Sequence, residues 1–477
     1  MTLTKFNSES TLRRWHSYSL KTLLIVMTVF AVLIGSRAQQ AHDQNIATKR
    51  IRELGGEVTY DFKPSFEETY RRQMEAQVAV ATGQQPPVYD DRPKAPKWLV
   101  DRIGIDWFAR VTEVRLAKSM LVDDDLAVLT RLPRLRHLTL RALPNLTDEG
   151  LKHVGKLRRL EILDLSENSL VGHGYTDAGL AHLSKLTSLD RLTLDSSHIG
   201  DEGLKHLSEL TKLESLSIES TQVTAAGLKH LKRSTRLRSI GTTIPMNDAM
   251  LASLEPFKQL ELISPLHATA TDDGLQHLRG FRQLKQLDVS DTQITDKGLE
   301  TVATMSGLTS LGLRRTAITD TGLQQLRNLP GLTQLELTGT GISDAGLKHL
   351  ATLTALEHLD LNDTQIEGTG FRDLMAQRTL TSLFLSNTRL TNEGLAEIGK
   401  FASVHILIVS HTPISNHGLH HLSKMTMLSH IDLSATSIND EGLAQLKQLP
   451  ALKSLIVYGT DVSEAVSANN PNWNIVP

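Results

Sequence analysis

The chain has 477 residues, 40% hydrophobic and only 4% aromatic, and 51 basic against 53 acidic side chains leave a formal charge of −2. That length holds two or three ordinary domains or one extended repeat array, the core must be aliphatic, and the balanced charge supplies no global field for nucleic acid or an anionic surface. With no cysteine in the chain, disulfides, thiol nucleophiles and thiolate metal sites are excluded.

The first element is an apolar run from Leu23 to Gly35, preceded by Arg13, Arg14 and Lys21. A basic segment followed by an apolar one is the layout of an export signal. The run alone is shorter than the ~20 residues that usually span a bilayer, and extension back through Ser17 brings it to a marginal span. Two readings stand. One is an uncleaved signal anchor over residues 1–37, which puts the protein in the cytoplasmic membrane with its later residues on the periplasmic or extracytoplasmic side. The other is a cleaved signal peptide and a secreted product. The anchor is preferred because Ser36-Arg37-Ala38 is a poor cleavage site.

Residues 38–97 read as a polar spacer. It contains a helix over 38–54 stopped by Gly55-Gly56, a short strand from Val58 to Phe62, a helix from Phe66 to Ala81, and a Pro-rich linker ending near Pro96. Over residues 98–110 the character changes. Trp98, Leu99, Ile103, Ile105, Trp107 and Phe108 concentrate apolar area, as expected of a cap over the open end of a repeat array.

From residue 111 to 460 the chain repeats. Gly274, Gly298, Gly322, Gly346, Gly370, Gly394, Gly418 and Gly442 recur every 24 residues, and Gly179, Gly203 and Gly227 keep the same spacing upstream. A representative unit, LKQLDVSDTQITDKGLETV from Leu284 to Val302, has the pattern L-x-x-L-x-L-x-x-T-x-I-T-D-x-G-L-x-x-L. Leu287-Asp288-Val289 alternates with period two and predicts a short strand. Thr292 is expected to bond backbone groups in the neighbouring coil, a hydroxyl being both donor and acceptor. Thr295 and Asp296 read as a helix N-cap and first-turn acid, and Leu299 and Val302 as the helix's apolar face. Gly298 is expected to allow close packing between coils.

Two departures interrupt the array. Extra residues between Leu165 and Gly179, including Gly172-His173-Gly174, predict a looped-out insertion or a binding loop. From Ile240 to Asp272 the pattern degenerates: Ala249 is taken to replace the Gly, and Pro245 and Pro265 fall in or near strands, where Pro cannot donate to a central ladder. A kink and ordinary drift are both consistent with this.

The repeat resembles that of leucine-rich-repeat proteins, specifically the T-x-I-T-D-x-G-L subtype found in many bacterial proteins and in substrate-receptor subunits of ubiquitin ligases. The N-terminal quarter is similar to that of bacterial membrane-anchored members in Ser19-Leu20-Lys21-Thr22-Leu23-Leu24, in Leu54-Gly55-Gly56-Glu57-Val58-Thr59-Tyr60-Asp61 and in Pro96-Lys97-Trp98-Leu99. The closing Asn470-Pro471-Asn472-Trp473-Asn474-Ile475 is similar to that family's terminal cap, here residues 461–477. The ligase comparison fails at the N-terminus, where no F-box-like segment is found. The resemblance implies an α/β horseshoe solenoid, with about fifteen short parallel strands on the concave face, helices on the convex face, and a partner-binding inner surface.

No G-x-S-x-G, H-E-x-x-H or P-loop pattern occurs. His153, His182, His206, His230, His277, His349 and His421 each follow a repeat Gly by three residues, which marks one helical register and not a convergent metal site. Asp288, Glu336 and Asp360 read as solvated face residues. No enzyme activity, cofactor or metal is expected. Non-core strand positions are charged mid-array (Arg314, Arg315, Asp360) and turn apolar further on (Phe384, Ile406, Ile408, then Ile456 and Tyr458). Arg314, Arg315, Asp360, Phe384, Ile406, Ile408 and Tyr458 are therefore the expected contacts for a protein partner, an apolar centre with a charged rim. The expected function is a membrane-anchored interaction scaffold. The alternatives are a self-associating structural component of the cell envelope and a substrate-receptor-like adaptor of a larger complex.

Overall fold

A computed structural model describes residues 20–64, 66–81, 85, 95–117, 120–168, 174–264, 268–375, 377–463 and 474–476. The chain divides into two compact units, Met1–Gly174 and Tyr175–Pro477.

The first unit opens with one unbroken 34-residue helix, α1 (Leu20–Glu53). The sequence divides this stretch into an apolar signal and a separate polar helix; the structure joins them, because nothing between Leu20 and Glu53 breaks the backbone pattern. The two ends of α1 differ in surroundings. Leu23 to Ile34 are exposed, whereas Ala41, Gln44, Ala47, Thr48 and Ile51 are buried, a spacing that places them on one helical face. The helix stops at Gly55, whose φ of +77° needs no Cβ, with Gly55 N–H bonded to Arg52 O at 3.0 Å and Gly56 N–H to Ile51 O at 2.8 Å.

After that turn, β1 (Glu57–Tyr60) pairs antiparallel with β2 (Val111–Ala117), and β2, β3 (His137–Arg141) and β4 (Ile162–Asp164) continue in parallel. An antiparallel strand on the outer edge closes a ladder that would otherwise offer unpaired groups. Asp106, buried and with no ion pair among the described residues, is held by Gln44 Nε2 at 2.8 Å, Asn45 Nδ2 at 3.2 Å and the Tyr60 hydroxyl at 3.1 Å. Burial, with Asp106 alongside, pushes the Tyr60 phenol up to about 12. Arg50 and Arg131 add ion pairs of 2.6 Å to Asp125 and Asp43. Within residues 98–110, Asp106, Ala109 and Arg110 are buried, whereas α3 (Lys97–Ile103), which follows α2 (Phe66–Ala81), has no buried residue.

The second unit carries strands β5 (Arg191–Thr193), β6 (Ser215–Ile218), β7 (Ser239–Thr242), β8 (Leu262–Ile263), β9 (Gln286–Asp288), β10 (Ser310–Gly312), β11 (Gln334–Glu336), β12 (His358–Asp360), β13 (Ser382–Phe384), β14 (Ile406–Ile408), β15 (His430–Asp432), β16 (Ser454–Ile456) and β17 (Asn474–Val476). The strands β2–β16 are the fifteen expected of the array. Each central Leu or Ile of β8–β16 is buried, and so are the helix residues that follow, such as Leu299 and Val302. The fold is the solenoid of short parallel strands and short helices that the period predicts.

At several junctions an acid joins one coil to the next, and at Asn392 and Asn416 an amide does so. Asp272 Oδ1 accepts from Thr295 N–H at 2.9 Å and its Oδ2 from the Thr295 hydroxyl at 2.6 Å, while the same hydroxyl accepts from Lys297 N–H at 3.3 Å and caps its helix. Asp296 repeats this on Thr319, Asp320 on Ser343, and Asp248 on Thr271. Charge-assisted bonds of this kind are the stronger ones. The carboxylate reaches over the next coil's glycine: a Cβ on Gly298 would lie 2.6 Å from Asp272 Oδ1 and 2.7 Å from Ile294 Cγ2. The same close approach of a neighbouring Asp side chain occurs at Gly203, Gly227, Gly274, Gly322 and Gly346.

Two expectations are corrected here. Thr292 does not bond the neighbouring coil. Its hydroxyl donates to Val289 O of its own coil at 2.5 Å, and Thr316, Thr340, Thr364, Thr388 and Thr412 do the same three residues back. The Thr side chain is too short to cross, whereas Asn168 reaches both ways: it donates to Leu140 O and Leu165 O at 2.7 Å and accepts from Leu143 N–H at 2.6 Å. In the irregular stretch, Asn247 caps the helix Asp248–Leu254, so the residue standing in for the repeat glycine is Met250, not Ala249. The 24-residue step to Gly274 is kept.

The ladder is interrupted at this stretch: β5–β7 and β8–β17 are separate hydrogen-bonded runs. Among the described residues, Glu261 N–H to Arg238 O at 2.9 Å and Thr269 N–H to Met246 O at 2.8 Å still link the two sides. Pro265, Gly172 and His173 lie outside the described residues, as do 464–473 of the expected terminal cap.

Candidate functional site

Three-residue strands with a buried central side chain turn their first and third residues to the other face. In β11–β16 the third residues form one row, Glu336, Asp360, Phe384, Ile408, Asp432 and Ile456, each in register with the next. The first residues form a second row, in which Ile406 stands between Ser382 and His430.

Phe384, Ile406 and Ile408 are brought together on adjacent strands, all partly buried and partly open. Asp360 adjoins Phe384 on one side and Asp432 adjoins Ile408 on the other. The apolar strip is thus flanked by carboxylates at both ends, and Asp432 separates it from Ile456. Tyr458, 71% exposed, stands past the end of β16. Arg314 and Arg315 follow β10, three strands before Phe384's own. Arg315 takes a left-handed φ of +51° and pairs with Asp291 at 3.4 Å. The seven expected residues therefore fall into one compact group (Asp360, Phe384, Ile406, Ile408) and outlying positions.

Beside Phe384 lies a groove of about 320 Å³ lined by Gln334, Leu335, Glu336, His358, Asp360 and Phe384. Gln334 and His358 were not singled out by sequence, which weighs residue type and not the first strand position. Gln334 Nε2 donates to Glu336 at 2.8 Å, and Asp360 Oδ1 accepts from Asn362 N–H at 3.0 Å. Behind this row, Ser386 and Ser410 hydroxyls bond each other at 2.8 Å. The arrangement offers directional acceptors around an apolar centre, and beside Ile406 the His430 ring nitrogen Nδ1 lies 2.8 Å from the Ser429 hydroxyl.

Asp288, Glu336 and Asp360 do not meet as a trio: Glu336 and Asp360 are in register, while Gly312 lies between Asp288 and Glu336. The repeated histidines stay in separate coils. Burial, then Lys348, lowers His349 below the usual imidazole range, and burial, then His420, does the same to His421. Among the described residues no three His, Asp or Glu are arranged to hold a metal ion.

A sequence model of the leucine-rich repeat matches residues 282–303, 330–351 and 376–399. No curated protein matches the chain by sequence. Among solved structures, an internalin from Listeria monocytogenes is similar with a TM-score of 0.52 and 24% identity, covering 67% of this chain and 86% of its own. A leucine-rich-repeat protein of Leptospira interrogans gives 0.46 and 18% identity over 73% and 92%. A TDR receptor gives 0.49 and 16% identity over 77% and 67%. The first of these likenesses bears on the fold alone.

Proposed function

We propose that this leucine-rich-repeat solenoid is a non-catalytic scaffold, held at a membrane by α1, that recognises a protein partner on the strand face of β11–β15. The observation that carries the reading is the strip of Phe384, Ile406 and Ile408 between Asp360 and Asp432. Large apolar side chains at strand positions that face away from the core, ringed by acids, have the make-up of an interface centre with a polar rim. The acids favour a partner segment with apolar residues flanked by Lys or Arg.

α1 supports the anchoring part. Among the described residues it is the helix long and apolar enough to cross a membrane, and its apolar part is exposed along its length. The basic residues before the run favour a cytoplasmic N-terminus and repeats on the opposite side.

The test is capture from native membranes by crosslinking, comparing the wild-type chain with Phe384→Asp/Ile408→Asp. The expected result is loss of the captured partner with an unchanged thermal melt. Unchanged capture with an unchanged melt sinks the reading. If the purified chain self-associates through the same residues, the structural envelope role takes its place.

A further inference from the structure

We infer that α3 lies in the interface of the same bilayer that α1 crosses, giving the protein a second membrane contact beside its anchor; this rests on the anchoring reading above. The apolar run of α1 ends at Gly35-Ser36, and the helix continues without a break. The first side chains past that point hold the segment that follows α3. Arg37 donates to the Trp107 carbonyl, Gln40 accepts from Arg110 Nη2 at 2.6 Å, and Gln44 donates to Ala109 O at 3.0 Å. From Arg37 to Gln44 a helix rises about 10 Å. The headgroup layer is roughly 5–8 Å deep on each side of the hydrocarbon. The bonded segment therefore begins at headgroup depth, and α3 joins it through Gly104 alone.

Within its own unit α3 is not packed away. None of its residues is buried; Trp98 is 67% and Ile103 49% exposed. In water this is unfavourable apolar exposure. At a bilayer surface it is what an interfacial segment needs, because Trp prefers the headgroup level and Lys and Arg reach lipid phosphates from short apolar helices. Lys97 and Arg102 are exposed on the same helix. The chain has four tryptophans; one of them, Trp98, lies on α3, and another, Trp107, whose carbonyl accepts from Arg37, lies on the segment that follows it.

The absence of cysteine makes the test direct. Full-length protein carrying one of Val29→Cys, Asp101→Cys or Gln448→Cys is spin-labelled and reconstituted into vesicles of phosphatidylcholine and phosphatidylglycerol. Collision with oxygen and with a water-soluble nickel complex is then measured, with circular dichroism confirming the fold of each variant. The expected result is a label at 29 that collides with oxygen and is shielded from nickel, a label at 448 fully open to nickel, and a label at 101 that loses most of the nickel access seen at 448. Full nickel access at 101 with 29 still shielded overturns the inference and leaves the anchor standing. Full nickel access at 29 overturns the anchor reading and this inference with it.

Discussion

Two junctions in the second unit solve one spacing problem with different side chains. Between the helices that start at Asp272 and Asp296, a carboxylate crosses to the next coil's Thr and passes over a glycine that has no Cβ to block it. Between those that start at Ala225 and Asp248, the first coil has no carboxylate, and the glycine position holds Met250, which is buried. The comparison shows that Gly298 answers to the neighbouring coil's Asp272 and not to its own backbone; at Gly418 and Gly442 an Asn side chain takes the acid's place, and at Gly370 and Gly394 the neighbour's backbone does. Gly298 is not in the left-handed region, whereas ten non-glycine residues among those described, Arg315 and Ala435 included, are. The letters of this repeat constrain one another across coils.

The comparison can be broken most directly at Gly298. Gly298→Met should cost about 3 kcal/mol, from overpacking and loss of the Asp272 bonds, read as a lower urea midpoint. Asp272→Ala in the same chain should recover part of that loss; simple addition of the two penalties would refute the steric account. The converse swap comes next. Ala225→Asp alone should destabilise by about 1–2 kcal/mol against Met250, and Met250→Gly should turn the pair favourable, a coupling of at least about 1 kcal/mol in a double-mutant cycle. Reach across a junction is tested at Asn168, where Asn168→Thr should cost about 2 kcal/mol by stranding Leu143 N–H and Leu140 O, against about 1 kcal/mol for Thr292→Val, whose bond stays in its own coil. The smallest effect has the opposite sign. Ala435→Gly, at φ +51°, should raise stability by about 1 kcal/mol, because there glycine suits the backbone.

The strands, the helix starts and their Thr caps were legible because each rests on residues within a few positions of one another, and a 24-residue period repeats the evidence many times. What the sequence did not yield depends on distance in space. Thr292 was assigned to the neighbouring coil on its chemistry, and only the length of its side chain decides otherwise. Counting along the sequence aligns Ala249 with the glycine, whereas the cap at Asn247 fixes the register on Met250. α1 was split at the change from apolar to polar composition, which alters what surrounds a helix but does not end it. Within the candidate site, the adjacency of Phe384 and Ile408 followed from spacing alone. The acid at Asp432 that closes the strip, and the groove that adds His358, needed the register of six strands.

The interrupted ladder between β7 and β8 has a mechanical consequence. Coils that touch only their neighbours behave as springs in series, and a load applied along such a series is taken up first by its most compliant member. Within the second unit, with two strand residues in β8 and two backbone bonds described across the gap, the junction at residues 242–262 is where such a load is expected to act. Bending of the second unit under a bound partner, or under tension, would concentrate there, and the strips of side chains on either side would keep their internal spacing while it gives.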